Sequence, residues 1–259
     1  MPWITANGAS LRYDLTGSGA DTLVLIHEAG GCMESYDEVL PALQQHFRVL
    51  RFDQRGFGFS EKMKSITYDT VIADIAGLLD ALGITEPVCM ASCAMGCDFI
   101  VGFAAAHPEH VKRIALASPT IGQREGNAAS SQARADLVVR EGMRASMETS
   151  HARSWPPVIR ERNLERFARY QARWVCNDPE SFAAQGRMMS TIDLTPLYPR
   201  VKAKTLAIGD RHDSQRLPEL AKKVAAAVPD GIYVEVDSGH FFALQSPEAF
   251  VETVVTWMK

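Results

Sequence analysis

Three segments of this sequence carry residues able to do nucleophilic or acid–base chemistry, and they lie far apart. The first is "EPVCMASCAMGCDFIVGF", Glu86 to Phe103. An apolar run, a few small residues and a second apolar run read as a strand, a sharp turn and a helix. A turn of this kind presents a nucleophile from a strained tip. Strand and helix meet so closely around it that the residues two before, two after and three after the tip must be small. With Ser92 at the tip those residues are Met90, Ala94 and Met95. With Cys93 they are Ala91, Met95 and Gly96, and with Ala94 they are Ser92, Gly96 and Cys97. Only the last set is small throughout. Ala94 therefore takes the tip, with Ser92 and Cys93 beside it as candidates for a displaced nucleophile. The second segment, "VDSGHFFALQSPEAF", holds His240, whose imidazole titrates near working pH and suits a general base. The third, "TLAIGDRHD", ends an apolar run in two acids, Asp210 and Asp213. A carboxylate there fixes the tautomer of an imidazole and stabilises its cation.

Groups so distant in the chain need a sheet to bring them together. Apolar runs recur at "TLVLIH", "FRVLRFD", "PVCMAS", "VKRIALAS", "KTLAIGD" and "GIYVEVD". Helical periods separate most of them. In "TVIADIAGLLDALGI" the apolar residues Val71, Ile75, Leu78, Leu79 and Leu82 share one face, and Gly83 caps the end. Continuous apolar strands alternating with helices imply a parallel sheet covered on both faces. At the start, "WITANGASLRYDLTG" alternates around Asn7-Gly8, a hairpin signal. Between Pro119 and about Tyr198 strands vanish and helical periods run through "SSQARADLVVREGMRASM" and "NLERFARYQARWV". The sequence thus predicts an α/β core over 1–121 and 196–259, with a helical cap over 122–195 inserted after the sixth strand. The 259 residues suit one such unit. A net charge of −4 shows no basic face for nucleic acid, and no apolar run is long enough for a membrane span. No secretory signal is visible at "MPWITANGAS", and five cysteines without a C-x-x-C pair fit a reducing cytoplasm. No metal or other cofactor is expected. The expected partner is a small-molecule substrate, and a homodimer stays open.

Together these segments resemble the α/β-hydrolase family over nearly the whole chain. "LIHEAGG" resembles its His-Gly-x-x-Gly oxyanion loop, "RFDQRGFGFS" its D-x-R-G-x-G-x-S turn, and "SCAMGC" its G-x-S-x-G-G elbow. Pro108 falls where the family has its proline only when Ala94 is the tip. The segments of Asp213 and His240 resemble those of the triad acid and histidine, in the family's order. "NDPESFAAQGRMMSTIDLTPLYPRVKAKTLAI" looks most like 3-oxoadipate enol-lactonases and related hydrolases of small esters and lactones. The resemblance implies that the backbone N–H groups of Ala29 and Met95 aim at a developing oxyanion. His27, ending an apolar strand, reads as a structural residue bonding loop backbone, with His27 and Cys93 kept as candidates to line the oxyanion and substrate site; Arg55 of the turn reads as tied to Asp53 or to backbone carbonyls. The resemblance favours Asp213 over Asp210 as the acid.

Two positions depart from the family pattern. Ala94 stands where the family has its serine, and Glu28 stands where the oxyanion loop has glycine. Glu28 is either a solvated loop carboxylate or one facing the pocket to position water, serve as a second base or repel anions. The alanine is either native or the replacement of a serine nucleophile. The resemblance implies hydrolysis of a small ester or lactone, with His240 and Asp213 activating water, or with serine if one was replaced. Alternatives of other classes are a cofactor-free lyase or oxygenase with His240 as base, and a binding receptor without turnover.

Overall fold

The computed structural model describes residues 2–122 and 127–259. Eight strands form one sheet: β1 (Trp3–Ala6), β2 (Ala9–Thr16), β3 (Thr22–Ile26), β4 (Arg48–Phe52), β5 (Val88–Cys93), β6 (Val111–Ala117), β7 (Lys204–Asp210) and β8 (Gly231–Val236). Their order is β1-β2-β4-β3-β5-β6-β7-β8. β2 runs antiparallel to both of its neighbours, β1 and β4; the other pairs are parallel. Asn7 and Gly8, with φ of 46° and 72°, make the tight turn between β1 and β2. Every residue of β3 and of β5 is buried, as expected for strands covered on both faces.

The helices are α1 (Leu40–Leu43), α2 (Tyr68–Ala81), α3 (Met95–Ala106), α4 (Asn127–Glu141), α5 (Arg144–Ser154), α6 (Pro157–Arg160), α7 (Leu164–Val175), α8 (Pro179–Met189), α9 (Pro218–Ala227), α10 (Phe242–Gln245) and α11 (Pro247–Met258). Thr67 caps α2 by accepting the Thr70 N–H, and Gly83 lies just past its end at φ 64°. Ile75, Leu78, Phe99, Phe103 and Val224, from α2, α3 and α9, form one core with the sheet. Tyr36, Leu43, Phe250 and Val254 form another with the sheet, drawing on α1 and α11. Burial of these side chains supplies the main drive to fold, about 1.5–3 kcal/mol for each large aliphatic or aromatic residue.

Two features of this topology make a site. From β3 the chain goes to β4 on one side and to β5 on the other. The loops that follow β3 and β5 therefore part and leave a crevice at the carboxyl edge of the sheet. The chain between β6 and β7 then carries α4 to α8 and, among the described residues, no strand. Ala135, Val138, Tyr170, Trp174 and Phe182 from these helices pack in one apolar cluster with Ala94, Phe241 and Leu244. The helices thus lie over that edge. Residues 123–126 of the segment assigned to a cap fall outside the described residues. Among the described residues no helix is long and apolar enough to cross a membrane.

The loop after β4 differs from expectation in one contact. Arg55 bonds Asp74 on α2 through Nε and Nη2, at 2.9 and 2.6 Å, and the Asn7 carbonyl. Asp53 instead accepts from Arg12 Nη1 and from the N–H groups of Met33 and Phe59. The turn is wound so tightly around this carboxylate that a Cβ on Gly58 would come within 2.1 Å of it. Arg55, two residues on, points the other way.

Candidate active site

The elbow forms where β5 meets α3. Ala94 has φ 54° and ψ −122°, a conformation that costs an L-residue about 1–3 kcal/mol. Its neighbours explain how the strain is held. A Cβ on Gly96 would lie 2.0 Å from Ser92 Oγ and 2.5 Å from the Ile26 carbonyl. Ser92 Oγ donates to that same carbonyl, and the Cys97 thiol donates to the Ala117 carbonyl at 3.2 Å. The Ala94 N–H is also bonded to Ala117 O. Any larger residue at 92, 96 or 97 would force strand and helix apart, as the choice among the three frames requires.

Above the elbow is a cavity of about 380 Å³. Its wall includes Ala29, Ala94, Met95 and His240 from the sheet body. Tyr170, Trp174 and Phe182 face it from α7 and α8. His240, after β8, is nearly buried and bonds Asp213 Oδ2 through Nδ1 at 2.7 Å. Nε2 is left on the opposite edge of the ring. Asp213 is fixed in turn: Oδ1 accepts the N–H groups of Gln215 and Arg216, and Oδ2 also faces Ser118 Oγ. Burial works against its charge. The charge and hydrogen bond of His240, with those from Ser118 and Arg216, outweigh burial and hold the carboxyl below its usual range. The rival acid, Asp210, ends β7 in complete burial, contacts Ser118 instead of the imidazole, and is pushed well above the carboxylate range by burial.

Ala29 and Met95 border the cavity, and neither backbone N–H has an acceptor among the described residues. Met95 opens the twelve-residue α3, so the positive end of that helix adds to its donor. Three other residues named from sequence stay off the cavity wall. His27 is fully buried: its Nε2 accepts the Gln54 N–H at 3.0 Å, so Nδ1 carries the proton and donates to Glu28 O. Glu28 is neither solvated nor on the cavity wall. Its carboxylate accepts from Ser35 Oγ at 2.9 Å and packs on Gly31, where a Cβ would meet it at 2.5 Å. Cys93 is buried with its sulfur taking the Ala243 N–H, and burial pushes its thiol far up, away from a reactive thiolate.

Two groups went unnoticed in the sequence. Arg216 Nη1 donates to the carbonyls of Ala94 and Ser118, and the guanidinium pairs with buried Asp98 through both nitrogens, at 3.0 and 2.7 Å. Ser118 bridges Asp210 and Asp213 from a backbone at φ 49°. Neither carries a local motif; both act through contacts about 100 residues away.

A mostly parallel sheet with this elbow and a His–acid pair beside the cavity defines a class, and comparison agrees. The chain belongs to the α/β-hydrolase fold family, whose model matches residues 21–247, and it is a hydrolytic enzyme. In particular, it is similar to the enol-lactonase of Burkholderia xenovorans LB400, with 30% identity, 99% of each chain covered and a TM-score of 0.91. It is 22% identical to 3-oxoadipate enol-lactonase 2 of Acinetobacter baylyi over 99% of this chain and 96% of that one. To pyrrolizixenacetamide deacetylase of Xenorhabdus hominickii it is 24% identical, over 97% and 95%.

Proposed function

We propose that the protein hydrolyses a small ester or lactone by direct attack of a water molecule that His240 deprotonates. One observation carries the reading: His240, held by Asp213, shares a cavity wall with Ala94, Ala29 and Met95. The Ala94 methyl offers no nucleophile, so no acyl-enzyme forms at the elbow. Water attacks the carbonyl carbon and gives its proton to His240 Nε2. The N–H groups of Ala29 and Met95 take the oxyanion, and the imidazolium returns the proton to the departing oxygen.

Residues 122–195 act as a cap that selects the substrate, over a core of 1–121 and 196–259. A cavity of about 380 Å³ lies at the small end of the usual range for ligand sites. Arg134 of α4 and Arg153 of α5 line it, and among the described residues neither is paired with a carboxylate. Off the cavity wall, Arg166 of α7 and Arg187 of α8 are paired with Glu38 and Asp136. The two cavity arginines support a substrate with an anionic group remote from the scissile bond. Glu28 holds the loop that carries the Ala29 N–H. The free cysteines fit a cytoplasmic enzyme, and the exposed Trp3 and Phe59 are the apolar pair a homodimer would cover.

The test is a panel of esters and lactones in ¹⁸O-water, with intact mass followed during turnover. The reading expects label in the product acid, no covalent adduct and no turnover in His240→Ala. An acyl adduct would overturn the water route, and oxygen drawn from O₂ would overturn hydrolysis.

A further inference from the structure

A hydroxyl has one hydrogen, and Ser118 faces two carboxyl groups. Its Oγ lies 2.7 Å from Asp210 Oδ2 and 2.6 Å from Asp213 Oδ2. Both are hydrogen-bond distances, so one of the two hydrogens must come from a carboxyl group. Asp213 is not the source. It receives His240 Nδ1 and two backbone N–H groups, the surroundings of a charged carboxylate. Asp210 has the opposite surroundings. It is fully buried, and among the described residues Ser118 is its one side-chain partner and Oδ1 has none. The ionisable groups facing it are Asp213 from the following loop, Cys93 at the end of β5, Cys97 on α3 and Tyr233 on β8. None of these is a cation. The nearby guanidinium of Arg216 is engaged by Asp98 and by two carbonyls. A lone buried carboxylate of this kind neutralises itself by taking a proton.

We propose that Asp210 is a neutral carboxylic acid at working pH, whose O–H donates to Ser118 Oγ and so commits the serine hydrogen to Asp213. The chain of donors then runs from Asp210 through Ser118 to the Asp213 carboxylate, which His240 Nδ1–H meets from the other side. Asp210 and Ser118 are positioning residues that act on the imidazole through Asp213. A donor on Oδ2 disperses the Asp213 charge and keeps that carboxyl from taking the imidazolium proton. That dispersal weakens the field of Asp213 at the imidazole. The direction in which burial moves Asp210 agrees. The catalytic meaning of the chain rests on His240 being the base; the protonation state of Asp210 does not.

The experiment is an NMR titration of isotope-labelled His240, assigned through a His240→Gln variant, in the parent protein, Asp210→Asn and Ser118→Ala. An asparagine amide donates to Ser118 as the acid does and adds no charge. Asp210→Asn is therefore expected to move the His240 midpoint by less than about 0.3 unit, well under the unit or more that a lost neighbouring charge produces. Ser118→Ala removes the donor and should raise the midpoint. A fall of about one unit or more in Asp210→Asn would mean that a negative charge had been removed, and would overturn the proposal. Should Ser118→Ala not fold, the stability of Asp210→Asn against pH decides. A proton held by the folded acid stabilises fully below the ordinary carboxyl pKa, and that stabilisation is lost as pH rises towards the folded value. The Tm advantage of Asp210→Asn over the parent should therefore grow from about pH 4 to pH 8; a constant difference would refute a neutral Asp210. Neither readout needs turnover. Activity surviving in His240→Ala would overturn the hydrolytic reading and leave the titration result standing.

Discussion

Asp213→Asn is dictated in its geometry by the parent structure. Asp213 Oδ1 accepts two backbone N–H groups, from Gln215 at 2.7 Å and Arg216 at 3.0 Å. An amide nitrogen cannot sit there, so the asparagine oxygen must take that place and its NH₂ the place of Oδ2. The NH₂ then faces His240 Nδ1, 2.7 Å from the atom it replaces. Two donors cannot share that contact. The imidazole proton must move to Nε2, the nitrogen that has to receive a proton from water. Forcing the reactive tautomer back leaves buried donors facing each other, at about 1–3 kcal/mol. Loss of the charge-assisted bond to the imidazolium in the transition state adds about 1.5–3 kcal/mol. The sum, about 2.5–6 kcal/mol, is a fall of ~10²–10⁴ in kcat/KM. Initial rates on the best lactone or ester at pH 7–8 would read it, with circular dichroism to establish that the variant is folded. A folded variant that loses less than tenfold would show that Asp213 does not set the His240 tautomer.

Restoring the hydroxyl in Ala94→Ser should give little gain on the true substrate and weak new activity on activated esters; a gain above ~10³-fold would show that serine chemistry, not water, is what this site is shaped for. Gly96→Ala drives a methyl into Ser92 Oγ and the Ile26 carbonyl. Urea unfolding should show a loss of about 3 kcal/mol. Because the Asp213 carboxyl is held below its usual range in the folded protein, its contribution to stability is present above about pH 4 and disappears as the pH falls below that. The acid limb of a Tm profile should accordingly be shallower in Asp213→Asn. Alanine at Arg134 or Arg153 should raise KM about tenfold for a carboxylate-bearing substrate and leave a neutral ester nearly untouched, as paired kinetics on the two would reveal.

Much of the fold was legible because its signals are local. Buried parallel strands read as apolar runs, Asn7-Gly8 as a hairpin, and the small residues at 92, 96 and 97 as an elbow whose tip could only be Ala94. The region between β6 and β7 was legible as helical, although Gly142, at φ 81°, divides one expected helix into α4 and α5. What escaped depends on where side chains point once distant strands are joined. Arg55 reaches Asp74 on α2, not the acid two residues before it, since the turn already spends Asp53 on Arg12 and two N–H groups. Glu28 occupies a position next to the cavity, but Gly31 and Ser35 draw its carboxylate back beneath its own loop. Ser118 and Arg216 have no spacing relation to His240 that a sequence pattern could report.

The elbow keeps its strained backbone at Ala94 although no hydroxyl stands there to be presented. What that geometry still delivers is the Met95 N–H at the head of α3. On the proposed water route, electrophile stabilisation and attack are carried by separate groups. Reagents that label hydrolases by phosphonylating or sulfonylating a serine would find nothing to modify at residue 94, and such a chain would be invisible to covalent profiling while fully active. Inhibition would instead have to come from reversible tetrahedral mimics that fill the donor pair and displace the attacking water.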